Sequence, residues 1–324
     1  MKRILISIFY LFIINIYASE NLVKKLKVGV LAYGTVNWEL DVIKHNNLDK
    51  KNGFELEVMK LASKNATSIA LQSNSVDIIV TDWLWVNTQR ANNGDFTFYP
   101  YSKATGTLYL AKDSKVKSFL DLQGKDVGVA GGPVDKTWLI LRAYTKFKYG
   151  KDLKDIINPI FAAPPILLKK LNDKSLDATI NFWHFNAKAK AKGARTIISM
   201  DEVLSQLGVK EEIPLIGWTF RRDIALKNPG IYNSFIKASL QAKEILLNDE
   251  KEWNRIKTLM KVKNNATFEA LKDGYKNGVI KSFNKNNIED SKKVFEILLK
   301  EGGKKLLKNS KELDLKTFWN IEKE

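Results

Sequence analysis

The chain has 324 residues, a formal net charge of +17 and no cysteine. This length favours two domains, because one hydrophobic core rarely serves so long a chain. The absence of cysteine excludes disulfides and a lipid-modified cysteine. The lysines are spread over nearly every predicted helix and form no arginine-rich stripe, so we predict that most of the charge is solvated and that nucleic acid is not a partner.

The first 18 residues are predicted to be an export signal. Lys2 and Arg3 precede a mostly apolar run over residues 4–17, and the small residues Ala18 and Ser19 follow. This order is typical of a secretory signal peptide, and the run is shorter than the roughly 18 apolar residues of a membrane span. We therefore expect cleavage near Ala18 and a free periplasmic protein that is not a lipoprotein.

Strand and helix patterns alternate from residue 26 onward. Strands are predicted over 26–31, 54–61, 76–81 and 96–102, and helices over 36–45, 66–73 and 82–91. Such alternation indicates an α/β fold with a mainly parallel sheet covered by helices.

A second series of the same kind begins near residue 108. Strands are predicted over 126–130, 160–163, 178–182 and 196–199, with helices over 134–147, 165–171, 184–192 and 201–207, the last of which closes the series. A further strand is predicted over 215–220. Beyond residue 228 the pattern is helical throughout, with helix starts expected at Asp290-Ser291 and at Leu313-Asp314. The sequence therefore predicts two sheets followed by a helical C-terminal part.

Five segments together resemble a known family. They are residues 27–30, 53–58, 75–82, 120–129 and 174–178, which contain the strand openings and an Asp signature near the third strand that recurs as Asp177-Ala178. In this order and at these spacings they resemble the periplasmic substrate-binding proteins of nitrate, sulfonate, taurine and thiamine-precursor ABC importers. Asn74 stands where that family usually has glycine.

The resemblance implies a type II periplasmic-binding fold with a ligand cleft between two lobes. Residues 22–104 and 214–324 are expected to form lobe 1, and residues 105–213 lobe 2, with crossovers near 102–108 and near Pro214. Such proteins close on a ligand by a hinge movement. The implied partners are a small-molecule ligand and the permease and ATPase of an importer, and the protein is expected to be a monomer.

The predicted ligand site comprises the loops that follow the strands, because ligands of open α/β sheets bind outside the carboxyl ends of the strands. The candidate ligand-binding residues are Gly34, Thr35, Asn37, Trp38, Ser63, Asn65, Thr81, Asp82, Trp83, Gly131, Gly132, Asp135, Asn181, Trp183, His184 and Trp218.

The tryptophans of these loops indicate an aromatic cleft. Trp38, Trp83 and Trp183 are the strongest candidates for ligand contact, and packing as core is the alternative for each. Trp85 is predicted to be core, because residues two apart on a helix do not share a face with Trp83.

The polar candidates have structural alternatives as well. Gly131-Gly132 either presents backbone N–H groups to an anion or forms only a turn. Helix N-capping is the alternative for Thr35, Ser63 and Thr81. Asp82 and Asp135 either bind a positive ligand group or cap the following helices.

The sequence offers little for chemistry. Two distant histidines and no cysteine argue against a metal site, and no nucleophile elbow, P-loop or dinucleotide fingerprint occurs. We therefore predict a binding protein that uses no cofactor and is not an enzyme. The predicted ligand is a small organic molecule, aromatic or anionic, of the sulfonate or heterocyclic-precursor class. The alternatives are an exported enzyme of the same fold that acts on a small heterocycle, and a ligand sensor for a membrane receptor.

Overall fold

The computed structural model describes residues 24–319, so the predicted export signal lies outside the described residues. The strands are β1 Lys24–Leu31, β2 Phe54–Leu61, β3 Ile78–Thr81, β4 Phe96–Ser102, β5 Thr107–Leu110, β6 Asp126–Val129, β7 Asn158–Phe161, β8 Ala178–Asn181, β9 Arg195–Thr196 and β10 Ile216–Arg221. The helices are α1 Val36–His45, α2 Leu48–Lys51, α3 Lys64–Gln72, α4 Trp83–Arg90, α5 Lys136–Tyr149, α6 Leu153–Ile156, α7 Pro164–Asn172, α8 Trp183–Lys190, α9 Met200–Gln206, α10 Arg222–Lys227, α11 Pro229–Asn248, α12 Glu250–Ile256, α13 Asn265–Gly278 and α14 Lys285–Leu307.

The strands form two five-stranded mixed sheets. The first has the order β2-β1-β3-β10-β4 and the second the order β7-β6-β8-β5-β9. We call the first sheet with its helices the first lobe, and the second sheet with its helices the second lobe. This confirms the predicted α/β class with two sheets flanked by helices.

One strand in each sheet runs against the other four. β1 pairs in parallel with β2 and β3, whereas β10 is antiparallel to β3 and β4. In the second sheet β5 is antiparallel to β8 and β9. Both reversed strands follow a crossover between the sheets. β4 ends at the carboxyl edge of the first sheet, and β5 starts five residues later. β5 therefore enters the second sheet from the carboxyl edge of that sheet and runs against its neighbours.

The structure corrects one predicted helix start. α14 begins at Lys285 with Asn284 as its N-cap, and Asn287 completes a capping box. Asp290 and Ser291 lie inside the helix. Asp290 accepts hydrogen bonds from two backbone N–H groups of the segment before β10, and Ser291 donates to the Asn287 carbonyl, so neither side chain caps the helix.

The C-terminal helix α14 lies against helices of both lobes. Its Glu301 forms ion pairs with Arg142 and Lys146 of α5, at 3.5 and 2.7 Å. α14 also contacts α4 of the first lobe. α14 therefore contacts both lobes. The expected division of the chain, into a first lobe of residues 22–104 and 214–324 and a second lobe of residues 105–213, remains a prediction.

A buried ion pair stabilises the helical side of the first lobe. Glu39 of α1 is fully buried, and its Oε2 lies 2.9 Å from Nζ of Lys243 on α11. Tyr275 of α13 donates a hydrogen bond to the same carboxylate at 2.9 Å, and Ser239 donates to its other oxygen. The Lys243 ammonium also lies 4.2 Å from the centroid of the Tyr101 ring. One carboxylate thus joins three helices that the chain places far apart.

We predict that Glu39→Gln lowers the free energy of unfolding by about 3–5 kcal/mol, because it leaves the Lys243 ammonium buried without its counter-charge. Urea unfolding measures the change. The control is Glu57→Gln, which removes an ion pair with Lys25 whose side chains are 61% and 36% exposed and which we expect to change stability little. Equal effects of the two substitutions would contradict the assignment.

Candidate functional site

Side chains from loops of the two lobes meet in a cleft between the sheets. Three contacts span it: an ion pair between Asp82 and Lys136, the Lys64 ammonium over the Phe182 ring, and an edge-to-face contact between Trp38 and Trp183. In each pair one residue follows a strand of the first sheet and the other follows a strand of the second. The cleft is therefore where the carboxyl edges of the sheets approach each other.

The Asp82–Lys136 ion pair is the charged contact at the centre of this cleft. Oδ2 of Asp82 lies 3.0 Å from Nζ of Lys136, while Oδ1 accepts a hydrogen bond from the Trp85 N–H and caps α4. Burial raises the pKa of Asp82, but the ammonium groups of Lys136 and Lys64 outweigh it and hold the pKa below its usual value. Burial lowers the pKa of Lys136, and Asp82 raises it above the usual value. Both groups are charged at neutral pH, and the capping alternative for Asp82 is confirmed.

The loop before α5 has the backbone geometry of a glycine turn. Gly131 and Gly132 have φ angles of 79° and 83°, and the Asp135 N–H donates to the Gly132 carbonyl. A Cβ on Gly131 would lie 2.5 Å from Oδ2 of Asp135. Asp135 caps α5 by accepting from the Trp138 N–H, and burial raises its pKa. The turn and capping alternatives are confirmed here, and an anion contact through the loop remains a prediction.

Aromatic rings form one wall of the cleft. The centroids of the Trp38 and Trp183 rings lie 6.4 Å apart at an interplanar angle of 89°. Trp38 is 5% exposed and also packs against Trp253 and Tyr275, so the first lobe holds it in place. Trp183 is half-buried, and its ring packs against Gly274 of α13.

His184 lies beside this wall as a neutral side chain. Its ring lies 5.7 Å from that of Trp183 and 4.5 Å from that of Phe185. Burial, assisted by the positive charge of Lys188, lowers the pKa of His184 to about 4. Near pH 7 the imidazole is therefore uncharged, and its contact with a ligand stays a prediction.

Two predicted ligand-contacting tryptophans lie in the core. Trp83 and Trp218 are both 0% exposed. Trp83 packs against Phe318, and Trp218 donates a hydrogen bond from Nε1 to the Ser239 hydroxyl. The structure corrects the prediction for both, because the sheet and its helices enclose their large apolar surfaces. Trp85, predicted to be core, packs against Phe96.

Two of the predicted polar contacts hold loops in place. Nδ2 of Asn37 donates to the carbonyls of Leu31 and Gly34, both at 2.9 Å, which fixes the loop after β1. Asn181 accepts from the Phe182 N–H and donates to the Pro164 carbonyl, which joins the loops after β8 and β7. Their direct contact with a ligand stays a prediction.

The remaining candidates differ in their local roles. Ser63 caps α3 by accepting from the Ala66 N–H, which confirms that alternative. Thr35 makes no capping hydrogen bond, and Thr81 is the last residue of β3, before the cap. Asn65 is exposed on the first turn of α3.

Sequence reasoning missed Lys64, Lys136 and Phe182 as cleft residues. Each stands within one or two residues of a predicted contact, so their position at strand ends was the available signal. The two lysines were inconspicuous because the chain has 53 lysine and arginine residues in total.

Two α/β lobes with a cleft between the carboxyl edges of their sheets define the two-lobed, type II class of periplasmic binding proteins. The family model described as "NMT1/THI5 like" matches residues 50–252. The chain belongs to the NMT1/THI5-like family.

Comparisons with individual proteins agree on the fold. The chain is similar to the periplasmic aliphatic sulphonate binding protein SsuA from Escherichia coli, with a TM-score of 0.73, 17% identity and 92% of each chain covered. It is also similar to the desulfurization enzyme DSZB, with a TM-score of 0.61 and 13% identity over 90% of this chain and 96% of that one.

A curated relative is the arginine-binding extracellular protein ArtP of Bacillus subtilis (strain 168), with 34% identity over 89 residues. The match covers 28% of this chain and 34% of that protein's length.

Among residues 24–319, no helix has the length and apolar character needed to cross a membrane.

We predict that His184 makes the protein sensitive to acid. Its pKa is about 4 in the folded state against 6.5 for an ordinary histidine, so between these pH values the unfolded chain binds the proton and the folded chain does not. Lowering the pH through this window reduces the free energy of unfolding, by about 2 kcal/mol at pH 5. His184→Gln should therefore lose less stability between pH 7 and pH 5 than the unchanged protein.

Urea unfolding at the two pH values measures this difference. His45→Gln, at an exposed position, is the matched control and should behave as the unchanged protein does. The same loss of stability in all three proteins would show that His184 titrates normally.

Proposed function

We propose that the protein is a periplasmic solute-binding protein that captures a small organic anion between its lobes and delivers it to the permease and ATPase of an ABC importer. It performs no chemistry on the solute and acts as a monomer. Export through the predicted signal over residues 1–18 fits this role. The similarity of the fold to SsuA, an aliphatic sulphonate binding protein, supports the anionic class.

The observation that carries the proposal is the set of charged and aromatic contacts across the cleft. The charges of Asp82 and Lys136 neutralise each other, since Oδ2 of Asp82 lies 3.0 Å from Nζ of Lys136. Asp135 is engaged as the cap of α5. Lys64 makes no ion pair among residues 24–319. Its positive charge acts from a distance to lower the pKa of the Asp82 and Asp135 carboxyl groups, against the effect of burial. Its ammonium is the cleft's available charge, which favours an anionic ligand group.

The organic part of the ligand is matched by the aromatic wall. The Lys64 ammonium lies 5.8 Å from the centroid of the Phe182 ring. The neutral His184 ring lies 6.4 Å from that of Phe182 and 5.7 Å from that of Trp183, so the apolar ring surface continues from Phe182. A molecule with an anionic head and a flat or alkyl body meets both features. An inorganic anion such as nitrate would leave the rings without a partner.

The enzyme alternative rests on a likeness of fold with DSZB alone, and fold does not determine function. Chemical analysis of the ligand after prolonged incubation separates the two: a binding protein returns it unchanged, and an enzyme does not.

We predict that an organic sulfonate or aromatic carboxylate binds the protein and that Lys64→Gln and Trp183→Ala each weaken its binding about tenfold or more. Isothermal titration with taurine, alkyl and aromatic sulfonates, aromatic carboxylates and thiamine-precursor pyrimidines measures the dissociation constants. Binding by the unchanged protein also raises its melting temperature.

The matched controls are Lys60→Gln, at an exposed position of β2, and Trp85→Phe, at the ring that packs against Phe96. Both should bind as the unchanged protein does. Preference for cationic or neutral pyrimidines, or unchanged affinity in Lys64→Gln and Trp183→Ala, would contradict the anion proposal.

A further inference from the structure

A second cavity lies beside the crossover between the lobes, behind α8. It has a volume of about 270 Å³, and its walls are residues 103–107 of the crossover, the outer side of α8, the start of α9 and one face of α13. Among the cleft residues named above, Trp183 alone also lines this cavity. Its size suits a small metabolite, since pockets for drug-sized ligands begin near 300 Å³.

A residue in the wall of this cavity carries a buried hydrogen-bond acceptor. Asn186 is 4% exposed and lines the cavity wall. Its Nδ2 donates to the carbonyls of Thr107 and Asn181, at 2.9 and 3.1 Å. Its Oδ1 has no hydrogen-bond donor within residues 24–319. An acceptor that is buried without a donor carries a desolvation cost, so this part of the cavity wall is not fully satisfied by the protein's own groups.

Two opposite charges border the same cavity without partners of their own. Asp273 of α13 and Lys190 of α8 both line it, and both are exposed. Neither forms an ion pair or side-chain hydrogen bond with another described residue. Lys103, in contrast, is held by Glu212 at 2.7 Å and by Asp201 at 3.5 Å. The lining charges without an ion-pair partner in the described chain are therefore one carboxylate and one ammonium group.

We propose that this cavity is a second ligand site, for a small zwitterion such as a free amino acid. The ligand's ammonium group binds the Asp273 carboxylate, and its anionic group binds the Lys190 ammonium. The threonine and serine hydroxyl groups of the remaining wall favour a polar body. This site and its ligand are separate from the organic anion proposed for the cleft.

A ligand at this site contacts both lobes at once. Tyr275 joins α13 to Glu39 in the first lobe, whereas α8 follows β8 in the second. Trp183 borders the cavity and contacts Trp38 in the cleft. Binding at the second site therefore biases the relative position of the lobes, and affinity at the cleft changes with it.

Isothermal titration of the protein without its predicted signal with glycine, L-serine, L-threonine and γ-aminobutyrate tests the proposal. We expect at least one of them to bind, and Asp273→Asn and Lys190→Gln each to weaken that binding about tenfold. Both substitutions are at exposed positions and remove only a charged end group that has no partner in the described chain, so melting temperatures should be unchanged. Lys192→Gln, exposed just beyond the end of α8 and outside the cavity, is the matched control and should bind normally.

Two results would overturn the proposal. One is that none of the four zwitterions binds at millimolar concentration. The other is binding that Asp273→Asn and Lys190→Gln leave unchanged; if Lys64→Gln abolishes that same binding, the zwitterion occupies the cleft. Neither result bears on the organic anion, whose binding is measured separately with the sulfonate and carboxylate panel.

Discussion

The Asp82–Lys136 ion pair is the interaction on which the geometry of the cleft depends. It connects the N-terminus of α4 in the first lobe with that of α5 in the second, and Asp82 also caps its own helix. A pair of this kind gains Coulomb energy and loses hydration, and the two effects largely cancel for buried charges. Such a contact holds the lobes near each other without locking them. A ligand that adds even modest binding energy to the closed form can then shift the equilibrium.

The two rings of the Trp38–Trp183 contact are held with different firmness. Trp38 is packed among Trp253 and Tyr275, next to the buried Glu39–Lys243 ion pair that joins α1, α11 and α13. Trp183 is only half-buried at the start of α8 in the second lobe, and its ring packs against Gly274 of α13. The Trp38–Trp183 contact therefore reports on the distance between the lobes.

The sequence predicts the elements well and the directions of side chains poorly. The bounds of β2, β4 and α1 agree with the structure because each has a clear apolar period and a clear break. The reversal of β5 and β10 depends on which edge of the sheet the crossover reaches, and no local pattern encodes that. Trp83 and Trp183 show the same limit: each is the first residue of a helix after a strand, yet one is fully buried and the other borders the cleft.

A measurement of the distance between the lobes tests the central claim, that this cleft closes on a solute. The chain contains no cysteine, so introduced cysteines are the sole sites for a thiol-reactive spin label. Ile69→Cys on α3 and Ile166→Cys on α7 place one label on each lobe. The two side chains are 63% and 51% exposed. Double electron–electron resonance then gives the distance distribution without ligand and with the tightest-binding organic anion. A shorter and narrower distribution in the presence of that anion is the predicted result. The same distribution in both states, at a ligand concentration that saturates binding, would contradict the account.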